Sequence, residues 1–321
     1  MKRTSLALVS GLALAMAAAP AAYAESVKIG VPSWTGAQAI ANLLKVVVED
    51  RIGGTAELVP GNNATIFQAM DQGKGDIDVH PDVWLPNQES FTKKYVDGAG
   101  TVELSQNAYE GNQGYCVSSD FAKKMNISDI ADLGRPDVAA AMDSDGNGKG
   151  EFWIGAPGWA SANVNQVKVR DYGLLPFVEP IRAEESVKNV RVKDSIAKGE
   201  GYAFYCYKPH AIWYMFDIKM VSEPKFDAAK YKMVQPSDSP NWYEESKVMT
   251  KDALKNVQIA YSKSLKSRSP AIYEFFTRFG LQADDVSGFA YEISGKGRDA
   301  GEVAKEWVAA NPKRVDAWLG L

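Results

Sequence analysis

The segment Gly155-Ala156-Pro157-Gly158-Trp159-Ala160-Ser161-Ala162 sets a tryptophan on a Pro/Gly turn just ahead of an apolar-periodic run. Trp34 in PSWTG and Trp84 in PDVWLPN are flanked in a similar way, and Tyr207 lies in YCYKP. Large aromatics are ordinarily core residues, but aromatics on the loops of a rigid scaffold stand where ligands are met. Several ring faces converging on one methylated ammonium attract it through their quadrupoles, at roughly 0.5–2 kcal/mol per face when desolvated. Trp34, Trp84, Trp159 and Tyr207 therefore predict an aromatic cage for a methylated cation. That chemistry is capture, and it needs no nucleophile. Trp153, Trp213 and Trp242 are further wall candidates, whereas Trp307 and Trp318 fall in helical patterns and read as core.

A helix that begins after Trp159 leaves the N–H groups of Ala160 and Ser161 free to meet an anionic ligand end, such as a carboxylate or an N-oxide oxygen. Ser161 equally suits an N-cap, and one residue can serve both purposes. Glu110, Glu151 and Asp82 are the acids that could lie beside the cage and favour a cation.

The run Asp143-Ser144-Asp145-Gly146-Asn147-Gly148-Lys149-Gly150-Glu151 places oxygen side chains at alternate positions, as in the first half of a calcium-binding loop. The twelfth position holds Ile154 where a full EF-hand has Glu, so a complete hand is excluded. A structural calcium would take Asp143, Asp145, Asn147 and Glu151 through side chains and Lys149 through its carbonyl. A metal-free Asx/Gly turn reads the same residues equally well.

Enzyme signatures are thin. Only two histidines occur, His80 and His210, and the chain has no HExxH, GxSxG or GxxxxGK[ST]. Asp78, His80 and Asp82 alternate along one extended segment, which places them on one side without implying acid–base work.

The elements that must position the cage follow from the periodicity. Residues 27–31 alternate as a strand, 37–48 repeat as a helix, 56–59 and 64–72 repeat that order, and 77–79 form a third strand ending in a loop that holds Trp84. Strands alternating with helices predict an α/β fold with mostly parallel sheets, whose ligand crevice lies beyond the carboxyl ends of the strands. A new strand starts after Gly114, the middle segment carries the acidic loop and a helix near residues 162–172, and a strand over 201–207 ends it. The remainder reads as packing helices near 254–265, 270–279 and 300–310. The expected organisation is a hinged two-lobed clamshell with two crossings. Its first lobe is discontinuous, residues 25–111 and 209–321, and its second, residues 112–208, is inserted.

Residues 1–24 read as a secretory signal: Lys2 and Arg3, an apolar run, then Ala22-Tyr23-Ala24 as a cleavage site without cysteine. The expected location is the periplasm. That oxidising compartment permits Cys116 and Cys206 to pair, and two buried thiols are the alternative. The composition, 45% hydrophobic and 24% charged with a formal net charge of −4, is that of a globular protein and argues against nucleic acid as a partner.

VWLPN around Trp84, DSDGNGKGEF followed by GAPGWASA, and YCYKP, in this order, resemble the glycine betaine/proline betaine class of substrate-binding proteins for ABC importers. The resemblance covers nearly the whole chain after residue 24. It implies a periplasmic binding-protein fold of the type II-like clamshell, a methylated amine as ligand, a membrane permease as partner and a monomer. It makes Trp84 and Trp159 cage walls, Tyr207 a third, and the backbone at Ala160 and Ser161 the seat of the anionic end. Two departures bear on the ligand: some relatives place a histidine near Gln88, and Trp34 is an additional aromatic. With the Asp-rich loop they make the pattern most like the trimethylamine N-oxide binding members, for which a bound calcium is also implied. Glycine betaine, choline, carnitine and dimethylsulfoniopropionate are the alternative ligands. A secreted hydrolase and a calcium-dependent structural module are the alternatives of a different class.

Overall fold

Strand β1 (Ser26–Val31) turns Val27 and Ile29 into the interior and runs parallel to β2 (Thr55–Pro60), with Ser26 opposite Thr55 and Val31 opposite Pro60. The computed structural model describes residues 25–321, so the expected signal, residues 1–24, lies outside the described residues. The helix Thr35–Val47 links these strands and buries Ala37, Ile40, Ala41, Leu44 and Val47, the three-to-four spacing that makes one apolar stripe. The helix Asn63–Gln72 follows. Asn62 caps it by accepting from the Thr65 N–H, and Gly73 ends it in the left-handed region.

Strand β3 (Val79–Leu85) lies parallel on the other side of β1. After β4 (Val102–Leu104), the long β5 (Tyr109–Ser118) leads into a second sheet in which β6 (Gly150–Gly155) runs parallel between β7 (Val178–Arg182) and β8 (Ala203–Lys208). Strand β9 (Ile218–Met220) adds to β5, β10 (Tyr231–Lys232) and β11 (Lys247–Val248) form a small ribbon, and β12 (Lys255–Ser262) returns between β3 and β5. The order is β2-β1-β3-β12-β5-β8-β6-β7, with β4 on β12 and β9 on β5. This is a two-lobed α/β architecture. Its sheets are mixed rather than mostly parallel, because β5 and β12, which carry the chain between the lobes, run antiparallel to β8 and to β3.

Three further expectations are corrected. The expected helix near residues 254–265 is β12 over most of its length, with Val257, Ile259, Ala260 and Tyr261 all buried. A strand covered on both faces loses the clean alternation that would identify it. Trp84 is not on a loop but on β3, opposite Val257 of β12. The return expected at residues 208–209 does not occur there: β9 pairs with β5, the Val221 N–H meets the Tyr115 carbonyl, and only at Lys255, opposite Gly111, does the chain rejoin the first sheet.

Cys116 on β5 and Cys206 on β8 form a disulfide, with Cα atoms 5.8 Å apart. The antiparallel register, Gly114 opposite Cys206 and Cys116 opposite Phe204, brings them within bridging distance. Among the described residues, no helix is long and apolar enough to cross a membrane.

Candidate functional site

All four predicted cage aromatics stand at or just beyond the carboxyl ends of strands. Trp34 follows β1 and precedes the helix Thr35–Val47, Trp84 is near the end of β3, Trp159 follows β6 and precedes the helix Ala160–Asp171, and Tyr207 is near the end of β8. Trp34 and Trp84 come from one lobe, Trp159 and Tyr207 from the other. Their rings meet edge to face in sequence: Trp34 to Trp159 at 5.7 Å and 79°, Trp159 to Tyr207 at 6.1 Å and 76°, and Tyr207 to Trp84 at 5.4 Å and 84°. Each ring thus stands nearly perpendicular to the next, as the walls of a box do. They line a small cavity, about 330 Å³ when its open mouth is included.

Behind two of these walls lies Asp82. Its carboxylate accepts from Trp34 Nε1 at 2.5 Å, Trp84 Nε1 at 3.0 Å and the Tyr109 hydroxyl at 2.5 Å. Burial pushes its pKa above the ordinary carboxylate value, against the opposing pull of these three donors. Of the three acids considered, Asp82 is the one beside the cage. Glu110 is exposed. Glu151, predicted as both ligand contact and calcium ligand, is buried away from the cavity, where it accepts from the Ser144 backbone and hydroxyl and has Arg191 at 3.9 Å.

The cavity's other side is polar. Ala160 and Ser161 line it as predicted, joined by Asn63, Asn87, Gln88, Gln113 and Tyr205, most of which the sequence reading missed. Tyr205 stands two residues before Tyr207 on β8, so period-two alternation would have placed it on the same face. Gln113 lies directly opposite Tyr207 across the β5–β8 pair, a register visible only in the fold. Asn87 is held from both ends: it donates to Gln113 Oε1 at 3.0 Å and accepts from the fully buried Lys255 Nζ at 2.8 Å. Lys255 shares Asp252 with Lys168, so a buried chain of charges reaches the cavity wall.

A second carboxylate clasps the lobes together. Glu185 accepts from the Thr35 N–H at 3.1 Å and the Thr35 hydroxyl at 3.0 Å across the cleft, and from the Tyr207 hydroxyl at 2.6 Å on its own side. His210 Nε2 stands 2.8 Å from it. Burial alone would raise this carboxyl, but His210, Lys188 and Tyr207 together bring it well below the usual carboxylate range. Trp159 Nε1 donating to Ser33 Oγ at 3.0 Å and Asn63 Nδ2 donating to the Gly158 carbonyl at 3.2 Å add two more bonds across the cleft. The lobes are closed on each other.

The remaining candidates fall elsewhere. Trp153 is fully buried behind Trp159, Trp213 donates to the Tyr207 carbonyl without lining the cavity, and Trp242 lies outside it. In the acidic loop, Asp143 accepts from the N–H groups of Gly146 and Gly148, Asp145 from Asn147 and Asn147 from Lys149, whose ammonium reaches the Leu175 carbonyl. Those oxygens are turned to the loop's own amides, as an Asx/Gly turn requires. Among the described residues no three acidic, histidine or cysteine side chains gather closely enough to hold a metal ion. His80, part of the hydrolase alternative, is fully buried and bonded to Asn63, with its pKa lowered to about 3 by burial. Asp78 is paired with Arg268.

Residues 25–310 match the family described as the substrate binding domain of ABC-type glycine betaine transport systems. The chain is 24% identical over 219 residues to the glycine betaine/proline betaine-binding periplasmic protein of Salmonella typhimurium, covering 64% of this chain. It is 22% identical over 219 residues to a glycine betaine-binding periplasmic protein of Dickeya dadantii. The chain spans 63% of the length of these curated relatives. Among solved structures, the lactococcal OpuAC complexed with glycine betaine superposes with a TM-score of 0.70 at 19% identity, over 92% of this chain and 99% of that one. A choline binding protein of an ABC transporter in complex with choline also superposes at 0.70, with 15% identity over 92% and 91%. The family is one of binding domains, not of enzymes, which removes the hydrolase alternative. The chain belongs to the substrate-binding domains of ABC-type glycine betaine transport systems.

Proposed function

We propose that this protein is the periplasmic substrate-binding component of an ABC importer, taking up a small methylated amine and handing it to a membrane permease as a monomer. The observation that carries this reading is the box of four perpendicular aromatic rings with one carboxylate behind it. A trimethylated nitrogen inside the box would lie against the aromatic side of the cavity, and closure would exclude water and strengthen each attraction. Glu185, Ser33 and Asn63 make their bonds across the cleft only when the lobes meet. Ligand that bridges both walls therefore shifts the population toward the closed form.

Within this class, the compact cavity suits a head group with a very short tail, and trimethylamine N-oxide, favoured by the sequence pattern, is such a ligand. Its oxygen would lie toward the Ala160 and Ser161 amides at the start of the helix Ala160–Asp171. Choline is the second reading, supported by the similar fold of a binding protein solved in complex with choline.

Titration calorimetry of the secreted protein against the N-oxide, glycine betaine and choline is the direct test. Trp159→Ala is expected to weaken binding roughly tenfold or more, since one wall and its desolvation go together. An unchanged affinity in a folded Trp159→Ala protein would mean that the ligand binds elsewhere.

A further inference from the structure

Lys255 lies outside the cavity and is fully buried, yet it is bonded to a residue that lines it. It stands where β12 rejoins the first sheet, opposite Gly111 of β5, so the sheet fixes its backbone. Its ammonium donates to Asp252 Oδ1 at 3.0 Å and to Asn87 Oδ1 at 2.8 Å. Asp252 also accepts from Lys168, which donates in turn to Glu223, so two lysines face two carboxylates within the cluster. What passes from this cluster to the cavity is therefore less a net charge than the direction of a hydrogen bond.

An ammonium only donates, so the oxygen of the Asn87 amide must face Lys255 and its nitrogen must face away. Asn87 Nδ2 donates to Gln113 Oε1 at 3.0 Å, which turns the Gln113 oxygen towards Asn87. Gln113 lines the cavity with Ser161 and Tyr205, and the end of its amide left for that side is the N–H. Turning Gln113 over would set N–H against N–H at Asn87, and turning both amides would set the Asn87 N–H against the Lys255 ammonium. Without Lys255 the two amides are free to turn together, since either sense pairs them equally well. The buried ammonium removes that freedom.

We infer that Lys255 is a positioning residue for the polar side of the cage: by fixing the Asn87 and Gln113 amides in one sense it presents an N–H there, and so favours a ligand whose polar end accepts a hydrogen bond. This rests on the methylated-amine reading above, and it assigns selectivity for an acceptor end to a side chain that does not touch the ligand.

The test compares trimethylamine N-oxide and glycine betaine, whose polar ends accept, with tetramethylammonium, which has a methylated head and no acceptor. Tryptophan fluorescence titration follows weak as well as tight binding, and the readout is the ratio of affinities, acceptor-ended ligand over tetramethylammonium. Lys255→Met is expected to lower that ratio about tenfold while leaving tetramethylammonium bound as before, the size of effect that one hydrogen bond gives. In Asn87→Ala, where the chain is already cut, adding Lys255→Met should lower the ratio no further. A ratio unchanged in folded Lys255→Met, a loss shared equally by all three ligands, or a further loss in the double variant would overturn the assignment. If Lys255→Met does not fold, Asn87→Ala alone decides. Both polar atoms of Asn87 are engaged by Lys255 and Gln113, so its ratio should fall in the same way, and an unchanged ratio would overturn the assignment. Failure of all three compounds to bind the wild type would instead overturn the methylated-amine reading itself.

Discussion

Asp82 acts on the cavity through the two indoles that hydrogen-bond to it, so it supplies charge without touching the ligand. An ionised carboxylate there favours a permanent cation in the box, and protonation removes the attraction. Because burial sets its pKa above the ordinary 3.8, affinity for choline or another permanent cation is expected to decline as pH falls through a range higher than a free aspartate would give. Asp82→Asn keeps an acceptor for the indoles and drops the charge, so it should weaken binding roughly tenfold and flatten the pH profile. Calorimetry at stepped pH on both proteins checks this, and identical profiles would remove Asp82 from the site's electrostatics. Asp82 was legible as one of three acids. Choosing it over Glu110 and Glu151 required knowing which strand faces the crevice, since sequence distance from Trp84 says nothing about distance from Trp159.

The elements place the walls by close packing. Gly111 on β5 lies against Trp84: a Cβ there would come within 2.6 Å of the indole, closer than real Cβ contacts allow. Gly111→Ala should therefore displace the Trp84 wall, costing about 1–3 kcal/mol of stability and a measurable share of ligand affinity. Urea unfolding followed by calorimetry tests both parts, and an affinity equal to the wild type's would mean that Trp84 does not need its present position. Gly155 plays the corresponding part in the other lobe. Its φ of +128° suits glycine, and a Cβ there would come within 2.9 Å of Ala162 Cβ, so the bare backbone lets β6 pass directly into the helix that begins behind Trp159. The strand–loop–helix units around Trp34 and Trp159 were readable because apolar periodicity switches sharply at those turns. Strand β12 was not, because it is buried at the centre of the sheet and its apolar run suits a helix as well as a strand.

At the scale of the molecule, closure depends on Glu185, which joins the start of the helix Thr35–Val47 in one lobe to Tyr207 and His210 in the other. A carboxyl held below its ordinary 4.5 contributes stability that is complete above that pH and is lost as pH falls through its folded-state value. Glu185→Gln is expected to lower stability by about 1–3 kcal/mol at pH 7 and to lose that difference from the wild type as the solution is acidified below about 4.5. Denaturant unfolding at neutral and acid pH measures it, and a difference independent of pH would rule out the charge as its origin. The sequence by itself determined the α/β class and the two lobes, because periodicity and turn chemistry are local and act within one element. Only the tertiary structure decided which acid backs the cage, where the chain returns between lobes, and that Glu185 and Thr35 meet across 150 residues. Those facts depend on strand order and on how the lobes meet, relations between elements that periodicity within any one of them does not carry.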